Sequence, residues 1–171
     1  MPLPTVAVVL LRARSEWDGS GDPESNASEM SSMDSMVREE VSRFDGFVAA
    51  RVGTLWQAIF GDRTGDDDQD ERAVLAALNI RRRLTHGKTR TVRAAVVSSK
   101  VSVEALDDCH TLLPRVPTME VWVSEETHQR TENKIDYQPA TSGMWAASAS
   151  AVAGKLGRRE PANLSGHSTR P

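Results

Sequence analysis

Thr5 to Leu11 is an unbroken run of β-branched and aliphatic residues, TVAVVLL. A run of this length and composition predicts a strand buried on both faces, the central strand of a sheet with layers on either side. Everything after it has to cover that strand. Met33, Met36, Val37, Val41, Phe44 and Val48 recur at spacings of three and four, so they predict one apolar stripe of a helix packed on the sheet. Asp18 to Ser32 is rich in Ser, Gly, Asp and Glu, and predicts a loop with order returning near Met30.

Asp45-Gly46 ends that helix, and Phe47–Val52 and Leu55–Phe60 flank Gly53-Thr54 as a hairpin. Asp62 to Asp70 reads as an acidic loop whose last members, Asp68 or Asp70, cap a second helix. Val74, Ala77, Leu78 and Leu84 give that helix its buried face, and Arg81, Arg82, Arg83 and His86 stand near its negative end with Gly87 beyond. Strands are expected over Thr91–Val103 and Val116–Val123, a short helix from Ser124, and a last strand at Ile135–Tyr137. The order strand, helix, strand, strand, helix, strand predicts an α+β, ferredoxin-like βαββαβ sandwich. One domain over residues 4–138 and a flexible tail over 139–171 account for the 171 residues. Within the tail Met144-Trp145 is the exception, an aromatic that docks on its own domain or on a partner.

A formal charge of −3 supplies no basic field for nucleic acid, so no nucleic-acid partner is expected. The single cysteine, Cys109, forms neither an internal disulfide nor a cysteine-based zinc site, and it suits a reducing cytoplasm. No membrane partner is expected either, because Val6 to Leu11 is far shorter than a membrane span and has no basic leader. Cys109 beside His110 reads as two different faces of a helix, not a catalytic pair, and Asp66-Asp67-Asp68-Gln69-Asp70 lacks the glycine and distal glutamate of a calcium loop. Trp56 and Trp122 alternate between faces, which predicts that at least one is exposed as a contact surface.

With Gly53 and Ala58-Ile59-Phe60-Gly61, the segment Phe44 to Phe60 resembles the second metal-site hairpin of the class III adenylate and guanylate cyclases. Asp70 to Leu78 is similar to the helix after that hairpin, Val92 to Val96 to the next strand, Val121 to Thr127 to a late strand end, and Thr5 to Ala13 to the opening strand. The resemblance implies that fold, and for active members a reaction in which two metal ions, held by two aspartates, activate a ribose hydroxyl against the α-phosphorus. By the same resemblance the first aspartate falls on Arg12 and the second on Thr54, the purine-selecting residue on Ala50, an asparagine on Asp107 and the transition-state arginine on Thr111. A second purine reader falls in a shortened stretch between Lys100 and Leu106. Asp18, Asp62 and Asp66 would replace the metal anchors only in a different hairpin geometry.

Five such losses imply no metal, no cofactor and no catalysis. The expectation is therefore a degenerate cyclase-like domain working as a regulatory or dimerising module, paired with itself or another regulatory protein. The alternatives are a nucleotide sensor that uses Arg12 on a phosphate, and a residual adenylate or guanylate cyclase.

Overall fold

The computed structural model describes residues 5–15, 23–61, 68–87, 89–100, 102–141 and 143–148. The acidic loop from Asp62, Asp18 and the tail beyond residue 148 lie outside the described residues. Strand β1 (Val6–Ser15) is an interior strand, third in a seven-stranded sheet ordered β2-β3-β1-β4-β5-β7-β6. It pairs antiparallel with β3 (Leu55–Phe60) on one side and β4 (Arg90–Ser99) on the other. Ala7, Val9, Leu11 and Ala13 enter one core, while Val8 and Leu10 enter a second core on the opposite face. That split is what an uninterrupted apolar run permits and an alternating one does not.

Helices α1 (Pro23–Arg43) and α2 (Gln69–Thr85) cover the first face. Met33, Val37 and Val41 supply the buried part of the predicted stripe, and Met36, Phe44 and Val48 pack at its margin. The helix starts well before Met30, against the loop expectation for this segment. Pro23 stands in the first turn, where a missing N–H costs nothing, and Glu24 faces the positive end of the dipole. The polar side chains that resemble a loop are simply the exposed side of this helix. Its inner edge is tied down by polar contacts: Glu29 receives Arg90 Nε and Nη2 at 2.7 Å each, Trp56 Nε1 donates to Asp34 Oδ1 at 2.9 Å, and Arg83 Nη1 donates to Glu40 Oε2 at 2.8 Å.

The capping expectation for α2 needs correction. Asp68 is the residue before the helix, but its carboxylate takes Arg72 Nε at 3.1 Å and caps no free N–H. Asp70 is buried, accepts from Ser98 Oγ and lies 3.5 Å from Arg130 Nε; burial raises its pKa against the lowering effect of both partners. Trp56 and Trp122 are both buried, at 1% and 6% exposure, so neither is a surface anchor. The tryptophans lie on opposite faces of the sheet, as the alternation requires, but each face carries its own core.

Further on, β4 ends at Ser99 and α3 (Ser102–Leu112) follows at once. A 3-10 turn (Leu113–Arg115) holds Pro114, and Met119 takes a positive φ of 73°, so β5 is confined to Val121–Ser124. Ser124 caps α4 (Glu125–Thr131), its oxygen accepting from Thr127 N at 3.4 Å, as the Ser-x-x-Thr spacing suggests. The expected domain end at 138 falls inside a hairpin. Strands β6 (Tyr137–Pro139) and β7 (Met144–Ala147) extend the sheet, β7 pairing with β5. Trp145 fixes this hairpin on its own domain: it stacks on His128 at 3.7 Å between centroids, and its Nε1 donates to Glu125 Oε1 at 3.0 Å, which holds that carboxyl below its usual range. Alanines at 146 and 147 carry too little apolar signal to announce a strand.

Tyr137 offers a direct check, because it is the only tyrosine of the chain. Burial pushes its phenol up to about 12, helped by Asp70 and opposed by a hydrogen bond with Thr131. The folded state thus keeps a proton that the unfolded chain loses near 10. Stability is unaffected by this group below that value and falls as pH rises from 10 toward 12. Near-ultraviolet difference absorbance is expected to show one tyrosinate step near 12; a step at the ordinary value in the folded protein would show the hairpin undocked.

Candidate functional site: the uncovered face of the sheet

Among the described residues, helix α3 and the 3-10 turn after it cover the second face. Ala105, Cys109 and Leu112 pack on Val8, Leu10, Ala95 and Val97 over β1 and β4. Cys109 Sγ approaches the carbonyls of Val8 and Ala95 at 3.4 and 3.6 Å, and burial pushes its thiol up to about 12, so it is a packing residue and no nucleophile. His110 is exposed on another side of the helix, as expected.

Among the described residues nothing covers most of strands β2 (Phe47–Val52) and β3 on this face. Phe47 is 41% exposed and Val52 70%, while Leu55 and Ile59 are half-buried. The register Phe47 opposite Ile59, Ala50 opposite Gln57 and Val52 opposite Leu55 puts all six side chains on the uncovered side. Gly53 turns the hairpin at φ +58°, a conformation that favours glycine. Ala13 N donates to Thr54 O at 3.0 Å, which fastens the turn to the end of β1.

Arg12 stands on this face opposite Leu55 of β3 and Arg93 of β4, and Arg14 follows two residues along the same side. Like charges directly across a strand pair are unfavourable unless something anionic meets them. Arg93 donates to Thr118 Oγ1 at 3.3 Å, and among the described residues no carboxylate pairs with Arg12, Arg14 or Arg93. Arg14 and Arg93 were not predicted as site residues; the strand register reveals them, and the alternation beyond Leu11 was the available signal.

The structure therefore brings Arg12 and Thr54 to neighbouring strand ends and sets Ala50 on the same hairpin. Asp107 and Thr111 are exposed on α3, where Thr111 Oγ1 donates to Asp107 O at 3.1 Å, and neither bonds to Arg12 or Thr54. A divalent metal pair does not fit these groups. A guanidinium and a threonine hydroxyl offer no anionic oxygen, and the described residues contain no cluster of three or more His, Cys, Asp or Glu side chains able to hold an ion. Asp68 and Asp70 of the acidic run are committed to Arg72 and to Ser98 and Arg130.

The same fold is found in solved guanylyl and adenylyl cyclase domains. The monomeric guanylyl cyclase domain of the RhoGC fusion protein from the aquatic fungus Blastocladiella emersonii superposes with a TM-score of 0.75 at 12% identity, covering 85% of this chain and 95% of that one. A dimeric form of the same fungal domain gives 0.76 at 12%, over 85% and 94%. The adenylyl cyclase CyaB from P. aeruginosa gives 0.72 at 14% identity, over 85% and 94%. The sequence matches no protein-family model, and no curated protein matches it. Among the described residues no helix is long and apolar enough to cross a membrane.

Proposed function

We propose that this chain is a catalytically inactive cyclase-fold module that regulates by association, pairing through the uncovered face of β2 and β3. The observation that supports it most is the content of that face. Where a cyclase of this fold needs carboxylates, Arg12 stands between Leu55 and Arg93, and beside it lies an apolar surface that no described element covers. Exposed aliphatic and aromatic side chains grouped on one strand pair are a contact surface more than a solvated one. The buried lone thiol suits a reducing compartment, and we place the module in the cytoplasm.

Sedimentation velocity over a concentration series tests this reading. A reversible dimer is expected, weakened by Leu55→Asp, a change at a half-buried position that adds a charge to the face. A strict monomer at every concentration, unchanged by the substitution, would contradict pairing with itself.

The arginines favour a second reading, a sensor that binds a nucleotide without turnover. Guanidinium groups grip phosphate oxygens without help from a metal. Ala50 has no side-chain polar atom to read a base, so this reading predicts equal affinity for ATP and GTP. Isothermal titration decides it, and no heat from either nucleotide would eliminate it.

A further inference from the structure

Hairpin β6–β7 closes the far end of the sheet with little apolar area of its own. Its register with β5 covers Trp122 with Ala146, Val123 with Trp145 and Ser124 with Met144. Apart from Tyr137, Met144 and Trp145 its described residues are small, polar or proline. Two of those three side chains rest on one imidazole. Trp145 lies flat on His128, with centroids 3.7 Å apart and planes 4° from parallel, and Tyr137 meets the same ring edge-on at 5.0 Å. The His128 side chain is 11% exposed.

The charge around that imidazole has one sign. Glu125 Oε2 lies 3.7 Å from Nδ1 and Glu132 Oε2 lies 3.6 Å from Nε2, so a carboxylate faces each nitrogen. A neutral imidazole has one N–H and one lone pair, and whichever tautomer forms sets its lone pair toward a carboxylate. Nδ1 is buried and has no hydrogen-bond partner. A second proton removes the mismatch: both nitrogens then donate toward negative oxygens, and the cationic ring sits over the face of an indole, which attracts it. The cations near α4 are engaged elsewhere. On the α2 side Asp70 is held by Ser98 and Arg130, and Glu71 by Lys134, while Arg130 also reaches Glu126. Strands β4 and β5 present the hydroxyls of Ser98 and Ser124, both bonded to Thr127; β6 presents the Tyr137 phenol, bonded to Thr131; and β7 presents the Trp145 N–H, given to Glu125.

We infer that His128 is a proton-operated latch on the β6–β7 hairpin: with the ring protonated the hairpin is held firmly on α4, and with the ring neutral it lifts more often. Docking favours the proton-bound ring, so by linkage the latch is firmest on the acid side of the range in which histidines change charge and slackens as pH rises through it. Lifting remains a rare event on both sides of that range, and Tyr137 stays covered. Each lifting bares the outer edge of β5, an unpaired strand edge that another chain can extend. The proton thereby sets how often that edge is offered.

Hydrogen exchange of the β7 amides in the full chain, expressed as protection factors at about pH 6 and about pH 8, tests the latch, with the β1 amides as the internal reference. The β7 protection is expected to fall roughly three- to tenfold from the lower pH to the higher, the effect of a partly screened ion pair together with a cation–π contact, while β1 is unchanged. His128→Phe keeps a flat ring against Trp145 but takes no proton, and its β7 protection is expected to be the same at both pH values. Glu132 has 59% side-chain exposure, so Glu132→Gln keeps the fold and is expected to reduce the response; it decides the matter even where His128→Phe does not fold. Equal β7 protection at the two pH values in the parent chain would overturn the latch. A response that survives in His128→Phe, or persists in full in Glu132→Gln, would overturn it too.

Discussion

Trp56→Ala is expected to destabilise the domain by about 3–5 kcal/mol, the range for truncating a buried aromatic, and to be the most damaging single change in the chain. Trp56 is 1% exposed and lies in the core between β1 and the inner faces of α1 and α2. Its loss leaves a void among Val9, Leu11, Val37 and Ile80 that the fixed sheet cannot close. The truncation also removes the hydrogen bond that Trp56 Nε1 donates to Asp34 Oδ1. That carboxyl is raised by burial but ends below its usual range, because Trp56, Arg38 and Arg51 together outweigh the burial. Urea unfolding of the two proteins at neutral pH measures the difference; a loss under about 1 kcal/mol would mean the helix layer repacks, as small core changes sometimes allow.

Glu29→Ala is expected to cost about 2–4 kcal/mol, somewhat under the range for breaking a fully buried pair because Glu29 keeps 31% side-chain exposure. The cost comes from its partner. Arg90 has 2% side-chain exposure and, among the described residues, would retain only Leu84 O, at 3.3 Å, as acceptor. Adding Arg90→Leu to Glu29→Ala removes the stranded charge, and the double variant is expected to recover most of the loss. A double variant no better than the single one would show that Arg90 is not held by Glu29. The pair joins the early turns of α1 to the start of β4, so it fixes the very segment that composition presents as a loop.

How much of this was legible in the sequence depends on what the residues compete with. The continuous run of β1 and the glycine-turned hairpin were readable, because aliphatic density and a positive-φ turn leave few alternatives. The N-terminal half of α1 was not, since its ordering comes from Glu29, Asp34 and Arg90, whose partners are far away in sequence. Asp68 and Asp70 fit a capping pattern that tertiary partners overrode. Hairpin β6–β7 was invisible for the opposite reason: Trp145 is its one strong apolar signal, and its meaning depends on His128 being there to stack against. For the site, Arg12, Ala50 and Thr54 could be placed only through the resemblance to the cyclases. The company Arg12 keeps, Arg93 across the ladder and Arg14 beside it, required the register.

An account in which the ferredoxin-like frame persists while its metal anchors become a guanidinium and a hydroxyl makes a demand on chemistry before it makes one on assembly. Arg12 repels the divalent ions on which the cyclase reaction depends, and Thr54 cannot hold them alone. The most direct measurement is cyclic nucleotide formation by the purified full chain from ATP and from GTP, with magnesium and with manganese, at concentrations where any dimer is populated. No cyclic product above a protein-free blank is the predicted result. Product that appears with the chain and disappears with Thr54→Ala or Asp107→Ala would contradict it.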